Sequence, residues 1–345
     1  MRNFTFVLAL FITIGAASRS SGSTQPHPAT ARGAQDDFSG MRGANYVPSY
    51  ARNDVQIWMD YDPAVVDREL GYAERMKLNT VRVFLQYAVY EHDPKLFLQR
   101  FENFLELCAK HHIRMMPVVF DSCVGEFPDL EKYRDKDWMA CPGQNRLGPE
   151  HWPAMENYIR DVVGRHKDDK RIVMWDVMNE PTCTPSNKPE DKKLLGTFLG
   201  HFLDYVKEQD PNHPRCVGFM DSSANKPFLD KLDVVAIHNY RRDLREDIRR
   251  MKALGKPVIV NEVAGRPGQP FDYVMPVLRE EKSGWCFWEL MLGKTQFSQG
   301  AVPYQGVIYP DGTCFDAGEI ALIMDLSRDE AARLFPQRRQ GGAKK

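Results

Sequence analysis

Ile172-Val173-Met174-Trp175-Asp176-Val177-Met178-Asn179-Glu180-Pro181 reads as a buried strand that ends in a carboxylate. A second run, Pro257-Val258-Ile259-Val260-Asn261-Glu262, ends the same way. A glutamate beside a buried strand is costly unless it is paired or has chemical work to do. The two runs belong to a longer series, and that series sets the expected fold.

Strand-like runs occur at Gly43–Val47, Thr80–Leu85, Ile113–Phe120, Ile172–Met178, Arg215–Phe219, Val234–Asn239, Pro257–Asn261 and Trp285–Trp288. Helix patterns lie between them, at Pro63–Lys77, Leu96–His111, Pro149–His166, Lys192–Gln209, Leu244–Leu254 and Phe271–Glu281, with Gly318–Leu326 as the last. Asn225–Leu232, after the fifth strand, has room for a short helix only. Strands that alternate with helices pair in parallel, and eight of them close an α/β, (β/α)8 TIM barrel of one domain. The competing doubly wound sheet would place a Gly-rich phosphate turn after the first strand, and Gly43-Ala44-Asn45-Tyr46 is not one. Two long connections, Asp121–Gly148 and Glu289–Phe315, fall on the rim that carries barrel active sites and are expected to wall a substrate.

The chain has 345 residues and is 43% hydrophobic, enough for one large core. Its formal net charge of -1 argues against nucleic acid or an anionic membrane as partner. Arg2 followed by the apolar stretch Phe4–Ala17 has the form of a signal peptide and is too short to span a bilayer. The expected division is therefore a signal peptide at 1–17, a disordered leader at 18–37, the barrel at 38–335 and a basic tail at 336–345. Export to the periplasm or medium follows from it, as a monomer without a membrane anchor. Of seven cysteines, Cys123, Cys141 and Cys183 fall in loops, with Cys123–Cys141 the first choice for a disulfide; Cys108 and Cys286 read as small buried hydrophobes. No C-x-x-C pair or early H-x-H motif is present, so neither a metal nor another cofactor is expected.

Strand alternation puts Val258, Val260 and Glu262 on one face, Val234, Ala236, His238 and Tyr240 on another, and Thr80, Arg82 and Phe84 on a third. Asn179 and Glu180 are neighbours and reach one site only if their strand bends or bulges. Two carboxyls on one rim suit retaining glycoside hydrolysis, in which one is the proton donor and the other the nucleophile. Arg82 and Tyr240 would favour the ionised form of Glu262, the expected nucleophile; Glu180 is the expected acid/base. Asn179 would bond a sugar 2-hydroxyl, His238 would orient the acid/base or a sugar hydroxyl, and Trp288 would floor a sugar ring. Tyr46 and Tyr50 are further rim positions, whereas Trp58, Trp138 and Trp152 read as packing.

The ordered set Arg82, Asn179-Glu180-Pro181, His238-x-Tyr240, Glu262 and Trp288 resembles clan A glycoside hydrolases, and within them the cellulase and mannanase family 5. The resemblance covers about residues 40 to 330. It implies a retaining mechanism with Glu180 as acid/base and Glu262 as nucleophile, the carboxylates following strands four and seven. One departure stands out. The family usually has a histidine at the end of the third strand, where this chain reads Val118-Val119-Phe120-Asp121-Ser122. Asp121 is expected to take over that sugar contact, or the site suits another sugar. The resulting expectation is a secreted retaining β-glycosidase acting on a poly- or oligosaccharide. The alternatives are a transglycosylase using the same glutamates and a carbohydrate-binding barrel without catalysis.

Overall fold

Eight parallel strands pair in sequence order and close on themselves: β1 (Arg42–Asn45), β2 (Thr80–Phe84), β3 (Arg114–Asp121), β4 (Trp175–Asn179), β5 (Arg215–Phe219), β6 (Val235–Asn239), β7 (Val258–Val263) and β8 (Gly284–Phe287). The computed structural model describes residues 37–121, 125–183, 188–299 and 303–338. The expected signal peptide, nearly all of the leader, Cys123 and most of the basic tail lie outside these residues. The helices are α1 (Asp54–Met59), α2 (Pro63–Arg75), α3 (Tyr87–His92), α4 (Pro94–Lys110), α5 (Trp152–Val162), α6 (Pro189–Gln209), α7 (Leu244–Lys252), α8 (Phe271–Glu280), α9 (Ala317–Met324) and α10 (Arg328–Leu334). The (β/α)8 barrel read from the alternation is thus the fold.

Helix boundaries follow local chemistry. Asp62 caps α2 by accepting from the amides of Ala64 and Val65, and Pro63 opens it. Asp93 does the same for α4 through Leu96 N, and Phe97, Phe101, Phe104, Leu105 and Cys108 form its buried stripe. Each fully buried phenylalanine of that stripe contributes roughly 1.5–3 kcal/mol relative to exposure. Sequence periodicity missed α1 and α3, which have six residues each, too few to show a period; side-chain caps from Asn53 and Gln86 start them. The segment after β5 is the anticipated short one, a 3-10 turn over Ser222–Phe228. The helix expected at Gly318–Leu326 is α9, which ends where Asp325 adopts a left-handed conformation (φ 59°), and α10 is a further helix beyond it.

The lower barrel interior is filled by Met116, Met174, Cys216, Ala236, Ile259 and Cys286, with Phe38 and Met41 beneath them. Val258 and Val260 belong instead to the layer between sheet and helices, which corrects the face assigned to β7. Ile259 and Asn261 point inward, and a register shift opposite Ile237/His238 then turns Glu262 inward as well. A matching irregularity in β4, between Asp176 and Asn179, brings Asn179 into the barrel mouth. The bend that Asn179 and Glu180 required is therefore present.

Cys141 is a free thiol with no exposure; Tyr87 N donates to its Sγ at 3.1 Å. The expected Cys123–Cys141 disulfide is not formed, because Sγ is turned into the core beside the start of α3. Cys108 and Cys286 are buried as expected.

Candidate active site

Arg82 projects from β2 into the barrel mouth, has no exposure, and is bonded on every side. Nε donates to Asp176 Oδ2 at 2.9 Å, Nη1 to Asn45 Oδ1 at 2.8 Å and to Glu262 Oε1 at 2.6 Å, and Nη2 to Asn179 Oδ1 at 2.7 Å. Burial alone would weaken its hold on the proton, but Asp176 and Glu262 outweigh that and keep it charged. Asp176 also accepts from Asn261 Nδ2 at 2.9 Å and Gly218 N at 3.2 Å. Sequence reading had left Asn45, Asp176 and Asn261 without a role. The signal was there in part, since Asn261 closes an apolar run and Asp176 is the one charge inside another.

Glu262 is held at both oxygens, by Arg82 on Oε1 and by the Tyr240 hydroxyl, which donates to Oε2 at 2.9 Å. Its pKa nevertheless lies above the ordinary carboxylate value. Burial raises it most; His238 and Arg82 pull it down, Glu180 raises it, and Tyr240 lowers it. The direction expected for Arg82 and Tyr240 is right, but desolvation by burial exceeds it. Glu180 leaves β4 with φ 43°, a region sparsely populated by residues other than glycine. Its amide donates to Gly218 O at 2.8 Å.

His238 stands between the two acids. Its Nδ1 is 2.7 Å from Glu180 Oε1 and 3.4 Å from Glu262 Oε2. Burial pushes its pKa down to about 4, against the pull of Glu262 and with the repulsion of Arg82, so the ring is neutral near pH 7. Nε2 is buried and meets no polar partner among the described residues. It packs on Gly218, where a Cβ would lie 2.2 Å from it. Oxygen atoms of Glu180 and Glu262 and a ring nitrogen of His238 all fall within 4.8 Å of one another. The same three could present ligands to a cation, but the Arg82 charge 2.6 Å from Glu262 would oppose one.

A pocket of about 240 Å³ opens above these groups, lined by Trp138, Glu180, Tyr240, Glu262, Trp288 and Phe297 among others. Both long rim loops contribute, as their lengths suggested. Trp138 comes from the connection after β3, and Phe297, Tyr304 and Gln305 come from the one after β8. The Trp138 and Trp288 rings meet edge to face at 5.7 Å, Phe84 packs on both, and Phe297 meets Trp288 at 5.6 Å. A larger cavity of about 350 Å³ lies between α6 and the turn after β5, lined by Leu195, Leu199, Phe219 and Phe228 among others. No carboxylate is among its described lining residues, so the smaller pocket is the candidate site.

Three expectations need revision. Trp138, read as packing, is a pocket wall. Asp121 is engaged by protein: Trp138 Nε1 donates to Oδ2 at 2.8 Å and Asn179 Nδ2 to Oδ1 at 3.3 Å. Tyr46 is fully buried away from the pocket, donates to Glu69 on α2 at 2.9 Å and packs against Phe104. Its position after β1 sends the ring outward, under the helices. Trp58 and Trp152 do pack elsewhere, and Tyr50 donates to Ile57 O.

No family model matches the chain. Mannan endo-1,4-beta-mannosidase 3 of Arabidopsis thaliana is 23% identical over 299 residues, which cover 70% of this chain and 68% of that protein. Among solved structures, exo-beta-1,4-mannosidase Op5Man5 from Opitutaceae bacterium strain TAV5 superposes with a TM-score of 0.64 at 16% identity; 85% of this chain is covered and 60% of that one. A GH5_18 protein from Streptomyces cattleya, in complex with GlcNAc, gives 0.60 at 16% identity, over 88% of this chain and 82% of that one. The chain thus spans 60% of the first of these structures. Fold and ordered residues together resemble clan A glycoside hydrolases of the family 5 type, as the motifs implied.

Proposed function

We propose that this chain is a retaining β-glycoside hydrolase acting by double displacement through a glycosyl-enzyme intermediate. The observation that carries the reading is the pairing of Glu180 and Glu262 across the rim, with oxygens within 4.8 Å. That separation suits a nucleophile attacking the sugar directly, whereas inverting pairs stand about 6.5–9.5 Å apart to admit a water.

Glu262 attacks the anomeric carbon, its position fixed by Arg82 and Tyr240, while Glu180 gives its proton to the departing glycosidic oxygen. Glu180 then takes a proton from water, which attacks the same carbon from the vacated side and releases Glu262. Asn179 has its carbonyl on Arg82 and one amide hydrogen toward Asp121, which leaves the other for a sugar 2-hydroxyl. His238 holds the Glu180 carboxyl in register, and Trp288 and Trp138 offer apolar ring faces to the sugar. The activities named for the similar proteins make β-1,4-mannans and aryl β-mannosides the first substrates to test. The N-terminal apolar stretch supports export, and among the described residues no helix is long and apolar enough to cross a membrane. We take the working enzyme to be a monomer.

Purified protein should be assayed on mannan, glucan, xylan and galactan, with products sized and the first-formed anomer identified by proton NMR. The β-anomer as first product supports the reading; the α-anomer, or no turnover on any of them, removes it.

A further inference from the structure

Glu289 follows Trp288 at the end of β8, has no exposure, and takes no part in the mechanism above. One oxygen, Oε1, accepts from Thr295 Oγ1 at 2.7 Å and from Ser298 Oγ at 3.0 Å. The other, Oε2, is buried with no polar partner among the described residues. Between Thr295 and Ser298 lie the two residues that this loop presses on the pocket aromatics. Gln296 Oε1 accepts from Trp138 N at 3.2 Å, and the Phe297 ring meets Trp288 edge-on. Phe297 O accepts from Gln305 N at 3.2 Å, which draws in the next stretch of wall. The chain is rooted beside Glu289 by Leu290 N donating to Asn45 O at 2.9 Å.

We infer that Glu289 is a positioning residue for the sugar site: by gathering Thr295 and Ser298 onto one oxygen it holds Phe297 and Gln296 in the pocket wall, and its unpartnered second oxygen makes that hold sensitive to charge. The inference rests on the glycosidase reading only for what the wall binds. A neutral carboxyl keeps both hydroxyl bonds. An ionised one places a charge on an oxygen that is buried and meets no donor among the described residues. Burial raises the pKa of Glu289 to about 7, with Thr295 and Ser298 pulling down and Glu262 on β7 pushing up. The wall is thus expected to tighten below neutral pH and loosen above it.

The test uses the full chain and its E289Q, E289A and T295V/S298A variants. Near-UV circular dichroism and KM on an aryl β-mannoside are followed from about pH 5.5 to 8.5. Wild type should show an aromatic transition and a rise in KM, both centred near pH 7. E289Q should keep the low-pH spectrum and KM and lose the transition. E289A and T295V/S298A should raise KM about tenfold with kcat changed less than about threefold. Wild-type KM and spectrum in both E289A and T295V/S298A would overturn the inference, as would the same pH transition in E289Q. If no glycoside is turned over, the glycosidase reading fails separately, and the spectroscopic transition with its loss in E289Q still decides the role of Glu289.

Discussion

Arg82 Nη1 donates to Glu262 Oε1 at 2.6 Å with both side chains almost wholly withdrawn from water. The same guanidinium reaches Asp176 and Asn179, so one cation ties β2, β4 and β7 together at the barrel mouth. Removing it strands Asp176 and Glu262 in the interior. Arg82→Met should therefore lose about 3–5 kcal/mol of stability, read as a lowered urea midpoint. A midpoint equal to wild type would show that the network does not hold the mouth together.

Glu262→Gln keeps the volume and the Tyr240 contact but no longer offers a nucleophile. It should fold and lose about a thousandfold or more of kcat on an aryl glycoside. Glu180→Ala should be rescued by azide on a substrate with an activated leaving group, yielding a β-glycosyl azide. Full activity in Glu262→Gln, or an α-azide, would sink the assignment of roles.

Gly218 admits the His238 ring edge. An alanine Cβ would sit 2.2 Å from Nε2 and force the imidazole off Glu180. Gly218→Ala should cost about 1–3 kcal/mol in stability and lower kcat more than it raises KM. Unchanged kinetics would mean that the His238–Glu180 contact has no part in turnover.

His238 is neutral when folded, its pKa depressed from 6.5 to about 4. The unfolded chain binds that proton first. The stabilisation is therefore present above pH 6.5 and lost as pH falls through about 4. About 3 kcal/mol of acid sensitivity is expected from this one group. His238→Asn should flatten the fall in melting temperature over that window; an identical acid limb would place the sensitivity elsewhere.

Much of the fold is legible in the chain because a barrel repeats one local rule. Apolar strand runs such as Arg215–Phe219, alternating with capped helices such as Pro63–Arg75, carry it without long-range information. The site was readable where polar residues interrupt those runs at strand ends, as Arg82, Glu180, His238 and Glu262 do. Alternation then misled for β7, because a bulge reverses the faces beyond it and leaves no mark in residue type. Trp138 was missed for a related reason. Its place depends on how a loop of some 28 residues returns to Asp121 and Trp288.

Strand count, the order of the functional residues and the two acidic strand ends can be read from the chain, since each rests on neighbours along it. The packed fold, and no local pattern, turns Tyr46 toward Glu69, keeps Cys141 a buried thiol and has Asp121 anchor Trp138. It also decided that Glu289 faces inward to Thr295 and Ser298. Those outcomes depend on which distant groups share a desolvated space, where each polar atom must find a partner or bear the cost of burial.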